Sequence, residues 1–204
     1  MKRILPILAL LASSSFALEA NVGADLSGIV TMPSNSPNGL EGKVGYGFRA
    51  TPAIELALNN FLAVRGSMGY ELTTWGTKSS GSVLGVSYSN DSAIVTQFLT
   101  FGIAGEVYVV PKVAFVSVGT SVDMPIMSSY TYKHNVAGIS LPTTDGDIHG
   151  DQNSVFLDLG VGVQVIPSLG VVAGYRLPMV PYYDKNNETN KLQQISLGIR
   201  LTLL

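Results

Sequence analysis

The chain of 204 residues contains no cysteine, two histidines and one tryptophan, and only 13% of its residues are charged. Without cysteine there is no disulfide framework, no thiolate metal site and no lipoprotein anchor. Lys and Arg number 12 against 14 Asp and Glu, a formal net charge of −2. That balance leaves no basic footprint for a phosphate backbone and excludes nucleic acid as a partner. There is also no run of the ~18 apolar residues that a membrane-crossing helix requires, although 46% of the chain is hydrophobic. The apolar residues are dispersed in some other pattern.

The N-terminus reads as an export address. Met1-Lys2-Arg3 is a short basic start, Ile4 to Ala12 is an apolar core interrupted by Ser13-Ser14-Ser15, and Ser15-Phe16-Ala17 places small residues where a signal peptidase reads. The expectation is a signal peptide over residues 1–17, cleaved after Ala17, and one domain over residues 18–204.

Within that domain the hydrophobic period is two. From Lys43 to Leu58 the even positions are Val44, Tyr46, Phe48, Ala50, Pro52, Ile54, Leu56 and Leu58, while the odd positions carry Lys43, Arg49, Thr51, Glu55 and small residues. A period of two is a strand with one apolar and one polar face. A strand this long, repeated along the chain, suits a sheet that crosses a bilayer, apolar face to lipid and polar face into a barrel. Eight such segments are predicted: Asn21 to Met32, Lys43 to Leu58, Leu62 to Thr74, Ala93 to Val110, Val113 to Ile126, Ser154 to Ile166, Leu169 to Val180 and Leu192 to Leu204. Their connections alternate between tight turns (Asn59 to Phe61, Pro111-Lys112, Ile166 to Ser168) and long polar loops (Pro33 to Gly42, Trp75 to Ser92, Met127 to Asn153, Pro181 to Asn190). Short periplasmic turns and long external loops are the rule for antiparallel up-and-down transmembrane β-barrels. Two local alternatives stand beside this layout. Pro52 cannot donate to a ladder, so a turn there would raise the strand number to ten; and Val83 to Tyr88 reads as part of an external hairpin with Ser89 to Ser92 as its turn.

The inward positions collect charge: Asp25, Arg49, Glu55, Arg65, Glu71, Glu106, Asp123, Asp158, Arg176 and Arg200. Pairing the second and third segments about Asn60 sets opposite each other residues whose numbers sum to 120, so Glu55 faces Arg65 and Arg49 faces Glu71. Pairing the sixth and seventh about Pro167 sets Asp158 against Arg176, and Asp25 with Arg200 is a candidate contact across the closing seam. Directly opposed residues lie about 4.5–5.5 Å apart at Cβ, within reach of carboxylate–guanidinium bonding. Such a lumen either selects ions or is a paired polar core, because an eight-stranded barrel is just wide enough for side chains to fill and unpaired buried charge is costly.

With these features the mature chain resembles the small eight-stranded outer-membrane barrel proteins, the OmpA/OmpX-like superfamily of Gram-negative bacteria. The resemblance rests on signal peptide, strand count, loop asymmetry and inward Arg/Glu network, and on no short motif. It implies residence in the outer membrane among its lipid and lipopolysaccharide, and insertion by the barrel assembly machinery, for which Lys191 to Leu204 looks like the C-terminal signal. It implies roles that range over anchoring, adhesion, small-solute passage and lipid A modification.

Both histidines, His134 and His149, fall in the longest predicted loop, with Ser128, Ser129, Ser140 or Ser154 as conceivable partners, but no spacing specifies the positioned base that a nucleophile needs. Asp145 to Asp151 partly resembles a calcium loop, yet Phe156 stands where the bidentate glutamate would be. Neither catalysis nor a metal or other cofactor is expected. Tyr46, Tyr70, Trp75, Phe101, Tyr175, Tyr182 and Tyr183 suit interfacial girdles, whereas Tyr130, Tyr132, Lys133, His134 and His149 form a candidate external contact surface. The expected protein is therefore a structural or adhesion-type outer-membrane barrel that meets an extracellular ligand through its loops; a narrow ion or solute channel is the second reading and a lipid A-modifying enzyme the third.

Overall fold

Alternating residues that cannot bury one face within their own strand must bury it against other strands, and here the sheet does so by closing on itself. The computed structural model describes residues 18–33, 41–148, 153–180, 182–183, 189–190 and 192–203. Its strands are β1 (Glu19–Pro33), β2 (Glu41–Lys43), β3 (Gly45–Ala57), β4 (Leu62–Val83), β5 (Val86–Val110), β6 (Ala114–Val136), β7 (Ile139–Ser140), β8 (Thr144–Ile148), β9 (Ser154–Ile166), β10 (Leu169–Val180), β11 (Tyr182–Tyr183), β12 (Thr189–Asn190) and β13 (Leu192–Leu203). Eight of them form an antiparallel ring in the order β1, β3, β4, β5, β6, β9, β10, β13 and back to β1. The fold is the all-β up-and-down barrel expected, with the eight staves at the expected places. The expected leader over residues 1–17 lies outside the described residues.

The strand does not break at Pro52. Pro52 pairs with Ala24 of β1, and only the β4 side of the ladder lapses, between Ala50↔Tyr70 and Ala53↔Ser67. The missing N–H removes a bond without making a turn, so the ring has eight staves and not ten.

Two predicted loops are instead sheet. β4, β5 and β6 run for 22, 25 and 23 residues, against the roughly 9–11 that a tilted strand needs to cross a bilayer. Trp75 to Ser92 is therefore the outer half of a β4–β5 hairpin, whose turn is Leu84-Gly85 and not Ser89 to Ser92. Both turn residues have positive φ, 51° and 80°, the backbone of a two-residue hairpin turn that matches strand twist. Ala137-Gly138 repeats that conformation after β6 (φ 52° and 80°), and β7 and β8 then pair back onto β6. Hydroxyl-rich polarity reads as loop in one dimension, but it equally suits strands that are solvated on both faces.

One irregularity sets which side chains face inward above the membrane. The β5–β6 ladder runs Gln97↔Met127, then Phe98↔Pro125, leaving Ile126 without a partner. This bulge beside a proline inserts one residue, so the inward parity of β6 changes from odd (Ser121, Asp123) to even (Ser128, Tyr130).

Outward positions are apolar and open, among them Val22, Leu26, Ile54, Met68, Phe101, Ile103, Val118, Val161, Leu197 and Ile199. Such a belt around a polar interior is the reverse of a soluble sandwich and marks an integral barrel of the outer-membrane type. Tyr46 and Phe101 lie on the outer surface as expected of girdle residues, but Trp75 does not: it is 5% exposed and points inward, packed with Phe98, Leu192 and Ile94.

Candidate functional site: a two-layered charged lumen beneath an extracellular sheet

The ten inward charges sort into two layers along the barrel axis, because each comes from one of two heights on the staves. In the outer layer Arg176 is the hub. Its Nε donates to Asp158 at 2.9 Å, its Nη1 to Glu71 (3.0 Å), Asp123 (2.9 Å) and Gln194 (2.8 Å), and its Nη2 to Ser121 (2.6 Å) and Asp123 (2.8 Å). The guanidinium also lies 4.1 Å over the Phe156 ring. Arg49 donates to Glu71 and Gln194, both at 2.8 Å, and the Gln194 amide donates to the second Glu71 oxygen at 2.6 Å. Five staves thus meet at one arginine that is 3% exposed.

The inner layer, nearer the tight turns, is built the same way around Arg200. It bonds Asp25 on its own neighbour β1 (3.1 Å) and Glu106 across the lumen (2.9 Å), and lies 4.4 Å over Phe115. Arg65 joins Asp25 at 2.9 Å and reaches Glu55 at 3.5 Å; the Tyr108 hydroxyl donates to the same Glu55 carboxylate at 3.2 Å. Register places Glu55 opposite Arg65, Arg49 opposite Glu71, Asp158 opposite Arg176 and Asp25 opposite Arg200. The strongest contact of Arg65, however, is with Asp25 two staves away rather than with the opposed Glu55. Cross-lumen partners, including Gln194, Ser121, Tyr108 and the two phenylalanines, were not read from the sequence. Their inward parity was visible, but which inward residues meet depends on how the ring closes.

Between the layers lies a chamber of about 160 Å³, lined by Ser27, Thr51, Ser67, Thr100, Ser117 and Ser196 together with the arginines. Beyond the inner layer a vestibule of about 230 Å³ opens among Asn21, Asn59, Tyr108, Gln164 and Thr202. On the other side of the outer layer a gap of about 10 Å³ lies between Phe98, Phe156, Leu192 and Gln194, and Phe98 and Leu192 pack there with Trp75. Buried charge shared among several partners, followed by an apolar cap, is an arrangement that fills a lumen rather than threads it.

The candidate contact residues lie on the sheet above. Tyr130 and Tyr132 occupy β6 on the face that continues into the lumen; the Tyr132 ring meets His134 edge-on at 4.3 Å, and His134 Nδ1 lies 2.9 Å from Asn90 Oδ1. Lys133 is on the opposite face, opposed to Asp91. His149 lies outside the described residues. Ser128 is six positions from His134 on the same strand, about 20 Å away at ~3.3 Å per residue, and the Ser140 hydroxyl donates to Asn135; neither forms a nucleophile–base pair with His134. The calcium-like stretch is partly strand, since Asp145 and Asp147 sit in β8 paired to Thr131 and Ser129; Gly150 and Asp151 are outside the described residues.

No protein-family profile matches this chain, and no curated protein matches it in sequence. Solved structures that are similar include Ail, the attachment invasion locus protein of Yersinia pestis (TM-score 0.43, 12% identity, covering 90% of this chain and 97% of that one). Neisserial surface protein A is similar at TM-score 0.43 and 15% identity, covering 92% and 99%. The outer membrane protease OmpT from Escherichia coli is similar at TM-score 0.43 and 11% identity, covering 93% and 99%. No functional residue is carried across from any of them.

Proposed function

We propose that this integral β-barrel is a closed outer-membrane protein whose work is done by the sheet that projects beyond the bilayer, as a surface-contact protein of the structural or adhesion type. The observation that carries the reading is Arg176. A guanidinium 3% exposed and bonded to Glu71, Asp123, Asp158, Gln194 and Ser121 ties five staves together across the lumen. Opening a path there would strand several buried charges at once, at a cost of several kcal/mol.

The apolar belt would meet outer-membrane lipid and lipopolysaccharide, and insertion would use the barrel assembly machinery. No catalysis is proposed: mass spectra of lipid A from cells that carry the wild type and His134→Ala are expected to be identical. Planar-bilayer recording of the purified protein tests the main claim. The expected result is no steady unitary conductance; a sustained, ion-selective current from the wild type would replace this reading with a narrow channel.

A further inference from the structure

The projecting sheet separates its charges by face. Among the described residues its charged side chains are Glu41, Lys43, Lys78, Asp91, Lys133, Asp145 and Asp147. Register rows put all of them on one side: Glu41, Lys78, Asp91 and Lys133 share one row, Lys43 and Asp145 the next, and Asp147 the one below. Lys43 bonds Asp91 there at 2.5 Å. The opposite face, continuous with the lumen, carries no formal charge among the described residues. Its rows run Trp75–Ile94–Tyr130–Gly146, then Thr77–Ser92–Tyr132–Thr144, then Ser79–Asn90–His134. The bulge at Ile126 creates this split, since an unbulged β6 would turn Lys133 inward and Tyr132 outward.

Resting on the surface-contact reading above, we infer that the lumen-side face of this sheet binds an uncharged saccharide chain. Two features select that class. A charged ligand would give up solvation with no fixed counter-charge to meet it, which is costly. Rings at Tyr132 and His134 stand beside the Thr77 and Ser92 hydroxyls, bonded to each other at 2.8 Å, and the Asn90 amide; rigid amphipathic rings with short hydroxyl and amide groups give contact area and adaptable hydrogen bonding at small entropic cost.

The test uses the full-length barrel in lipid nanodiscs on a printed array that carries uncharged hexose and N-acetylhexosamine oligosaccharides beside sialylated and sulfated ones. Tyr132→Ala and Asn90→Ala are expected to weaken binding about tenfold or more each, while Lys78→Ala, on the charged face, leaves it unchanged; a heat-shifted gel band confirms that every variant is folded. Binding restricted to acidic glycans, or indifferent to Tyr132, overturns the inference. So does an array without binding, and whole-cell adhesion then separates the two claims: adhesion that persists leaves a surface-contact protein with another partner, and its absence removes both.

Discussion

At the scale of single residues, the interior behaves as two networks and not as a set of pairs. The opposition of Arg49 and Glu71 invites a charge exchange, but Glu71 also accepts from Arg176 and Gln194. Arg49→Glu combined with Glu71→Arg is therefore expected not to restore stability, because the new arginine would face Arg176. Singly, Glu71→Ala should cost about 3–5 kcal/mol, since it leaves two guanidiniums short of a counter-charge. Arg49→Ala, at a position 14% exposed by side chain, should cost less. Urea unfolding in micelles gives both values, and a rescued exchange variant would show that the pair acts alone. Glycine supplies a second case: a Cβ on Gly162 would sit 2.3 Å from the Phe115 ring, the ring that underlies Arg200, whereas one on Gly105 meets nothing nearer than 3.9 Å. Gly162→Ala is expected to cost about 1–3 kcal/mol by overpacking and Gly105→Ala close to nothing, as read from the same melts.

At the scale of elements, the informative features are where strands continue and where they slip. The inner halves of β4, β5 and β6 alternate apolar against polar and were legible as strands; the outer halves, such as Thr77-Lys78-Ser79-Ser80, are polar on both faces and were not. Hydrogen bonding along the long hairpins, rather than any hydrophobic period, holds them extended. The bulge at Ile126 is the element that decides which side of β6 meets the outside world. Deleting Ile126 should restore strict alternation and leave the two faces above it as they are, because Met127 then follows Pro125 directly and still opposes Gln97. The absence of cysteine makes this measurable: Tyr132→Cys and Lys133→Cys should keep their labelling rates with a bulky maleimide when Ile126 is removed, and exchanged rates would mean that β6 forms its bulge elsewhere.

For the whole molecule, closure is the dominant constraint. Every backbone group within the bilayer must be paired, and an open edge is not tolerated, so β1 and β13 meet along twelve registered pairs, Val22↔Leu203 to Pro33↔Leu192. An intact ring of this kind is expected to resist SDS, with unboiled and boiled samples running apart on a gel and a circular dichroism spectrum of strand. Identical migration would contradict closure. The two charge layers lie in series along the axis, so removing Arg200 and Glu106 from the inner layer should enlarge the chamber yet leave the bilayer current at baseline, because the Arg176 hub and the Trp75 cap still stand. A current from that variant would locate the seal in the inner layer.

Period, parity and turn spacing are local properties of the chain. They determined by themselves where the staves run, apart from the turn that Pro52 left open, which side of each faces lipid, and which hairpin-linked charges stand opposite, because neighbouring strands inherit their register from the tight turn between them. What no turn connects was decided only by the closed ring. The meeting of Arg176 with Glu71 and Asp123, of Arg200 with Glu106, and of Arg65 with Asp25 depends on stagger and bore, which arise when the last stave finds the first. The inward course of Trp75, and the turning of Tyr132 and Lys133 to opposite faces, depend on hairpin length and on a single inserted residue. An alternating pattern records which residues avoid water; it does not record the distance across the space that they enclose.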